Sequence, residues 1–238
     1  MEEILQKLKI LGVHHIQNDC EILLEILEEQ LSNTYEVDEL ILHLTNTKQK
    51  KIMLECPKTL LGKLKFTKEK MKVVGERVIF TKEFTEPVSS LLPEYEVWSI
   101  YNPDSISFLS EVMGRSFDET ESFLMKMEAE LPSQVKDMYT VMIVKNEPVG
   151  VVFPHIEPDT DQEGRIFWIG THPRHLRKGL GQRLHLIGLY RLQNEFKAKS
   201  YLGATSVDNH PMRNIMIANG CVQNRNSFLS LEFCFMEW

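Results

Sequence analysis

The densest chemistry in the 238-residue chain lies in Ile169-Gly170-Thr171-His172-Pro173-Arg174-His175-Leu176-Arg177-Lys178-Gly179-Leu180-Gly181-Gln182. Pro173 blocks continuation of the strand before it, and a loop bearing Gly179 and Gly181 runs into a helix. Such a loop aims backbone N–H groups from a positive helix end, which suits a phosphate or pyrophosphate. Glycine lets the backbone approach a ligand closely, and Arg177 and Lys178 add charge beside it. A phosphate loop of the G-x-x-x-x-G-K-[ST] type is absent, and a dinucleotide fingerprint would need glycine where Leu184 stands. A plain strand-to-helix turn uses glycine for its backbone freedom alone. The spacing by itself leaves the cradle and the plain turn both open.

Other reactive residue types carry less. His172, His175 and His185 have no carboxylate or cysteine at ligand spacing, so no metal is expected. Cys20, Cys56, Cys221 and Cys234 form no C-x-x-C pair and read as reduced thiols of a cytoplasmic protein. The net charge of -7 argues against nucleic acid as a general partner. Lysines cluster at Lys48, Lys50, Lys51, Lys58, Lys63, Lys65, Lys68, Lys70 and Lys72. They read as a solvated face, with docking to an acidic partner or RNA as the alternative. No apolar run approaches the ~20 residues of a membrane helix, and the start has no signal-peptide layout.

The elements that must position the loop can be read on both sides of it. In the first third, Asn18 is expected to cap a helix carrying Leu23, Leu24, Leu27 and Leu31. Strand-like stretches follow at Leu40–Leu44, Ile52–Leu54 and Val73–Phe80. Prolines and serines between Glu86 and Glu94 mark a boundary. Beyond it, Tyr95–Tyr101 alternates as a strand, and Asn102-Pro103 opens a helix that Gly114 ends. Ser116-x-x-Glu119 is a capping box for a second helix, stopped by Pro132. Two strands, Tyr139–Lys145 and Val149–Pro154, read as a hairpin across Asn146-Glu147-Pro148. A strand at Arg165–Gly170, a long helix from about Gly181 to Phe196, a strand at Tyr201–Val207, a helix at Pro211–Asn219 and a strand at Phe228–Met236 complete the order. Those elements amount to a mixed α/β sandwich around one sheet.

In this context Thr171-His172-Pro173, followed by Leu176-Arg177-Lys178-Gly179-Leu180-Gly181, resembles the acetyl-CoA signature of the GNAT acyltransferase superfamily. There a strand ends in a Val/Thr-x-Pro element, and a [QR]-x-x-G-x-[GA] loop holds the CoA pyrophosphate. Val207-Asp208-Asn209-His210-Pro211-Met212, running on to Ala218-Asn219-Gly220-Cys221, resembles the family's next motif. The resemblance covers about residues 95–238. It implies an α/β (α+β) fold with a GNAT-like mixed central sheet flanked by helices. Residues 1–94 would be a smaller α/β N-terminal domain of unknown role, and residues 95–238 the acetyltransferase domain.

Acetyl-CoA is the co-substrate so implied. Ile169, Gly170 and Thr171 would meet its pantetheine and thioester, and Leu176, Arg177, Lys178, Gly179, Leu180, Gly181 and Gln182 its pyrophosphate. Asn209 and Met212 would join from the later motif. Two departures stand out: Leu176 replaces the usual Gln/Arg, and Met216 stands where many relatives place a tyrosine as general acid. Relatives with a glutamate on the strand would have it near Phe167, where this chain has no acid. An amine must lose its proton before attack, so a carboxylate or histidine is the usual base. Glu163, Asp208 and His172 are the candidates, with Glu157 and His155 nearby; a surface role is the alternative for each.

The function implied is an N-acetyltransferase moving acetyl from acetyl-CoA to an amine of a small molecule or protein by direct attack. The alternative is an acyl-CoA-binding regulatory module with little or no turnover, which Met216 and Phe167 favour. Phe233, Phe235 and Trp238 read as core or edge residues, with contact in a homodimer as the alternative for an aromatic end strand.

Overall fold

The computed structural model describes residues 1–17, 21–45, 51–87 and 92–233. Asn18, Cys20, Lys48, Lys50, part of the boundary stretch (88–91), Cys234, Phe235 and Trp238 lie outside the described residues. The chain divides into two compact units. The first comprises Met1–Ile79, Ala204–Asn209 and the chain from Asn224 onward; the second comprises Phe80–Gly203 and His210–Gln223.

The first unit contains α1 (Glu2–Ile10), β1 (His14–Gln17), β2 (Glu21–Glu25), α2 (Thr34–Thr45), β3 (Lys51–Pro57), α3 (Lys58–Leu61), α4 (Lys65–Lys70) and most of β4 (Met71–Glu83). It also takes most of β10 (Val222–Phe233), which pairs antiparallel with β3 from Phe228↔Pro57 to Phe233↔Ile52. β2 and β3 run parallel, joined through α2. Two sequence expectations fail here. Residues 21–25 form a strand rather than part of a helix, with Ile22 and Leu24 buried in alternation. That short apolar run satisfies both periods, and β1 and β3 on its two sides select the strand. Leu40–Leu44 is helical, because Val37, Ile41 and Leu44 share one buried face. Asn33 starts that helix: its Oδ1 accepts from the Glu36 amide and its side-chain amide donates to the Glu36 carboxylate. Asp38 is buried and accepts from the amides of Phe66 and Thr67 and from the Thr67 hydroxyl, which fixes α4 against α2.

The second unit runs β5 (Tyr95–Val97), α5 (Pro103–Met113), α6 (Phe117–Glu130), α7 (Val135–Met138), β6 (Thr140–Val144), β7 (Glu147–Ile156), β8 (Glu163–Thr171), α8 (Leu180–Asn194), the start of β9 (Ser200–Ser206) and α9 (His210–Ala218). Its strand order is β9-β8-β7-β6-β5. The expected caps are present. Asn102 accepts from the Asp104 amide, Gly114 closes α5 in the left-handed region, and Ser116 and Glu119 complete a capping box. The β6–β7 connection differs from expectation: Lys145 and Asn146 alone form it, both at positive φ, and Glu147-Pro148 already belongs to β7. A two-residue turn with both φ positive matches the twist of the strands.

Two cores flank this sheet. Val141, Ile143, Val151 and Phe153 pack with α5, α6 and α7 on one face. Met142, Val149 and Val152 pack with Leu180, Leu184 and Ile187 of α8 on the other.

Candidate functional site

The site begins with a ladder that stops early. β8 pairs parallel with β9 at Glu163↔Ser200 and Gly164↔Tyr201, and its remaining residues pair with β7 alone. The side of β8 facing away from β7 is therefore an open strand edge from Arg165 to Thr171, with N–H and C=O groups able to bind an extended ligand. β8 is also bulged: Val152 pairs with Ile169 but Pro154 pairs with Ile166. One extra residue lies in β8 between those pairs, which bends the strand at Phe167-Trp168.

Beyond Thr171 the chain turns through a 3-10 turn at Pro173–His175, capped by His172, whose Nδ1 accepts from the Arg174 amide. Arg177 and Gly179 both take positive φ, +60° and +73°. α8 starts at Leu180 with Gly179 as N-cap and no side-chain cap. The first-turn amides of an α-helix have no intrahelical acceptor, so this helix start keeps donors and a positive dipole end for a ligand. A Cβ on Gly179 would meet nothing within 4 Å, so open space lies in front of it. That space is a cleft of about 450 Å³ lined by Thr171, His175, Leu176, Arg177, Gly179, Leu180, Gly181 and Gln182, and by Pro211, Asn214, Ile215 and Ala218 of α9.

A polar chain that runs from the surface to the buried His185 ties the two helices that border the cleft. The Asn219 side-chain amide donates to the Gln182 carbonyl and to Nδ1 of His185. With Nδ1 accepting, Nε2 carries the proton and donates to the Tyr201 hydroxyl at 3.2 Å. His185 is fully buried, and burial, aided by the charge of Lys82, pushes its pKa down to about 3. The imidazole is neutral, which is what these bonds require. Lys82 donates to the Asn219 carbonyl and closes the end of α9.

Of the candidate bases, Glu163, Glu157, His155 and His172 are engaged with neighbouring groups. Glu163 bonds Nε of Arg165 at 2.8 Å. Glu157 accepts from His155 and faces Arg165; the His155 bond, with that guanidinium, holds its carboxyl below the usual range. His172 is buried with both nitrogens occupied, by the Arg174 amide and by Glu111 at 3.1 Å. Asp208 is exposed in the turn before α9. Of the residues expected at the cofactor, Thr171, Leu176, Arg177, Gly179, Leu180, Gly181 and Gln182 line the cleft. Ile169 and Gly170 lie on the open edge of β8, while Lys178 folds back onto the Arg174 carbonyl. Met212 is in α9 and Asn209 directly precedes that helix, and neither is among the residues that line the cleft. Pro211, Asn214, Ile215 and Ala218 were not anticipated; their i, i+3, i+4, i+7 spacing marks one helix face and was the available signal.

The model of the acetyltransferase (GNAT) family matches residues 95–216, just over half of the chain. The chain belongs to the GNAT family. It is an acyltransferase of that family, whose members draw their acyl group from acetyl-CoA. The GNAT fold recurs in solved structures. A GCN5-related N-acetyltransferase from Sphaerobacter thermophilus has 11% identity and a TM-score of 0.61 over 92% of this chain and 75% of that one. A GNAT acetyltransferase from Colwellia psychrerythraea has 8% identity and a TM-score of 0.63 over 94% and 81%. A tandem GNAT protein from the clavulanic acid biosynthesis pathway has 14% identity and a TM-score of 0.64 over 92% and 77%. At these identities the likeness is one of fold. No curated protein sequence matches the chain. In this GNAT chain Met216 is buried in the second unit, and a thioether offers no proton. Among the described residues no helix is long and apolar enough to cross a membrane.

Proposed function

We propose that the chain transfers the acetyl group of acetyl-CoA to an amine of a small molecule or protein by direct attack. The uncapped start of α8, opening on the cleft beside the unpaired edge of β8, is the observation that supports it. The amides of Leu180, Gly181 and Gln182, with Arg177, fit a pyrophosphate. The open edge at Ile169–Thr171 fits the amides of a pantetheine arm and a thioester carbonyl. In the reaction the amine nitrogen bonds the carbonyl carbon, and the C–S bond breaks. The nitrogen gives up its proton to water or a base reached through water, and the departing thiolate takes one up. With Met216 in place of an acid, that proton comes from solvent.

The division into residues 1–94 and an acetyltransferase part at 95–238 belongs to the same proposal, supported by the family match at 95–216. So do work in the cytoplasm, with Cys56 and Cys221 as free buried thiols, and a homodimer to be sought by sedimentation. The second reading, an acyl-CoA-binding module with little turnover, is favoured by Met216 and by the absence of an acid at Phe167.

Calorimetric titration with acetyl-CoA and CoA tests the cradle, on wild type and on Gly179→Asp. Asp at this position sets a carboxylate against the pyrophosphate and caps the α8 amides itself. Binding in the micromolar range that weakens at least tenfold in the variant supports the cradle. No binding by the wild type overturns it. Binding without CoA release across an amine panel favours the regulatory module.

A further inference from the structure

Side chains of a strand alternate between faces, so neighbours in sequence normally part company. The bulge in β8 breaks that rule. Ile166 and Ile169 pack on the α8 face, and Phe167 and Trp168 both turn to the α5–α6 face. Phe123 of α6 meets them edge-on, at 5.6 Å from Phe167 and 6.5 Å from Trp168, with Phe153 buried beneath. Phe123, Phe167 and Trp168 each remain partly exposed. The indole of Trp168 lies along the strand over Gly170, where an added Cβ would come within 2.2 Å of the ring. Gly170 thus keeps the space that the indole fills.

We propose that Phe123, Phe167 and Trp168 form the wall that selects the acceptor, and that the acceptor is an amine carried on an aromatic or similarly flat ring. This rests on the acetyl-transfer reading above. Three observations support the choice. Phe167 and Trp168 stand on the stretch of β8 whose edge is open, beside Ile169 and Gly170, and Phe123 of α6 packs against both. Their mutual edge-on geometry leaves ring faces and edges of the kind that a further ring packs against. The three rings themselves carry no ionisable group, so they offer a flat ring apolar contact, while charged Arg115, Asp118, Glu119 and Lys126 border the outer side of Phe123.

The test is CoA release from acetyl-CoA with amines matched in chain length: 2-phenylethylamine and tryptamine against hexylamine and ethanolamine. The full chain is used, as wild type, Phe123→Ala and Trp168→Phe. Wild type should favour the aryl amines in kcat/KM by about tenfold, and Phe123→Ala should raise their KM about three- to tenfold, the range of one aromatic contact. Hexylamine should change less than twofold. Equal use of aryl and alkyl amines by wild type, or an equal loss on both classes in Phe123→Ala, overturns the proposal.

Calorimetry with acetyl-CoA separates this from the underlying reading. If acetyl-CoA fails to bind, the transferase reading falls, and 2-phenylethylamine is titrated alone while tryptophan emission is followed. Saturable quenching that is lost in Trp168→Phe supports the wall; its absence overturns the wall too.

Discussion

His185 offers a quantitative check on the polar chain beneath the cleft. Its imidazole is fully buried, donates to Tyr201 and accepts from Asn219, and is held neutral with a pKa pushed down to about 3. In the unfolded chain the same group titrates near 6.5, the ordinary value for histidine. Between those two values the unfolded state binds a proton that the folded state does not, so acid favours unfolding. Stability is fully present above pH 6.5 and falls by about 1.4 kcal/mol for each pH unit below it, until the folded pKa is reached. From pH 7.5 to pH 5.0 only the span below 6.5 counts, which is worth about 2 kcal/mol.

The perturbation is His185→Leu combined with Tyr201→Phe, so that the Tyr201 hydroxyl is not left facing an apolar side chain. Asn219 keeps its bond to the Gln182 carbonyl in that variant. Urea unfolding of both proteins is followed by the emission of Trp98 and Trp168 at the two pH values. All other titrating groups are common to both proteins and cancel in the difference. The stability gap should move by about 2 kcal/mol in favour of the variant on acidification. A gap that stays constant within about 0.5 kcal/mol would refute the neutral, buried imidazole. A gap moving the other way would mean that the folded protein binds the proton.

Gly170→Ala should force Trp168 off its strand, costing about 1–3 kcal/mol by overpacking, read in thermal unfolding and a shift in tryptophan emission. Asp38→Ala leaves the Phe66 and Thr67 amides without their acceptor and should destabilise the first unit by about 2–4 kcal/mol, visible as faster hydrogen exchange in α4. Ser116→Ala removes one side of the α6 capping box and should cost about 1 kcal/mol in urea unfolding, while leaving acetyl-CoA affinity unchanged.

The second unit was legible because its punctuation is local. Asn102-Pro103, Gly114, Ser116 with Glu119, and Gly179 each act within one turn of the chain, and the structure uses all of them as helix ends. The first unit was harder to read for a physical reason. Leu23 and Leu24 sit in a run too short to fix a period, and only pairing with β1 and β3 decides for a strand. The signal for α2 lies in Asn33 and Glu36, a cap pattern that precedes its apolar face. At the site, the glycine loop could be anticipated from its residues. The open edge of β8, its bulge and the chain from Asn219 to Tyr201 depend on contacts between distant segments, and local spacing is silent on those.

The last described strand gives the first unit an unusual order of assembly. β10 completes the sheet edge of β3 with pairs such as Leu229↔Cys56 and Leu231↔Leu54, and Leu229 and Leu231 belong to the same buried core as Leu5 and Leu24. A ribosome delivers residues 1–79 long before it delivers these partners. The first unit must therefore wait, with an apolar edge uncovered, until the chain beyond Asn224 emerges. Its sheet closes only then, by a contact that spans most of the sequence. A cut near residue 94 that separates the two segments would leave the early one short of a strand. The strand's affinity, added back as a peptide, would measure how much of that unit's stability arrives last.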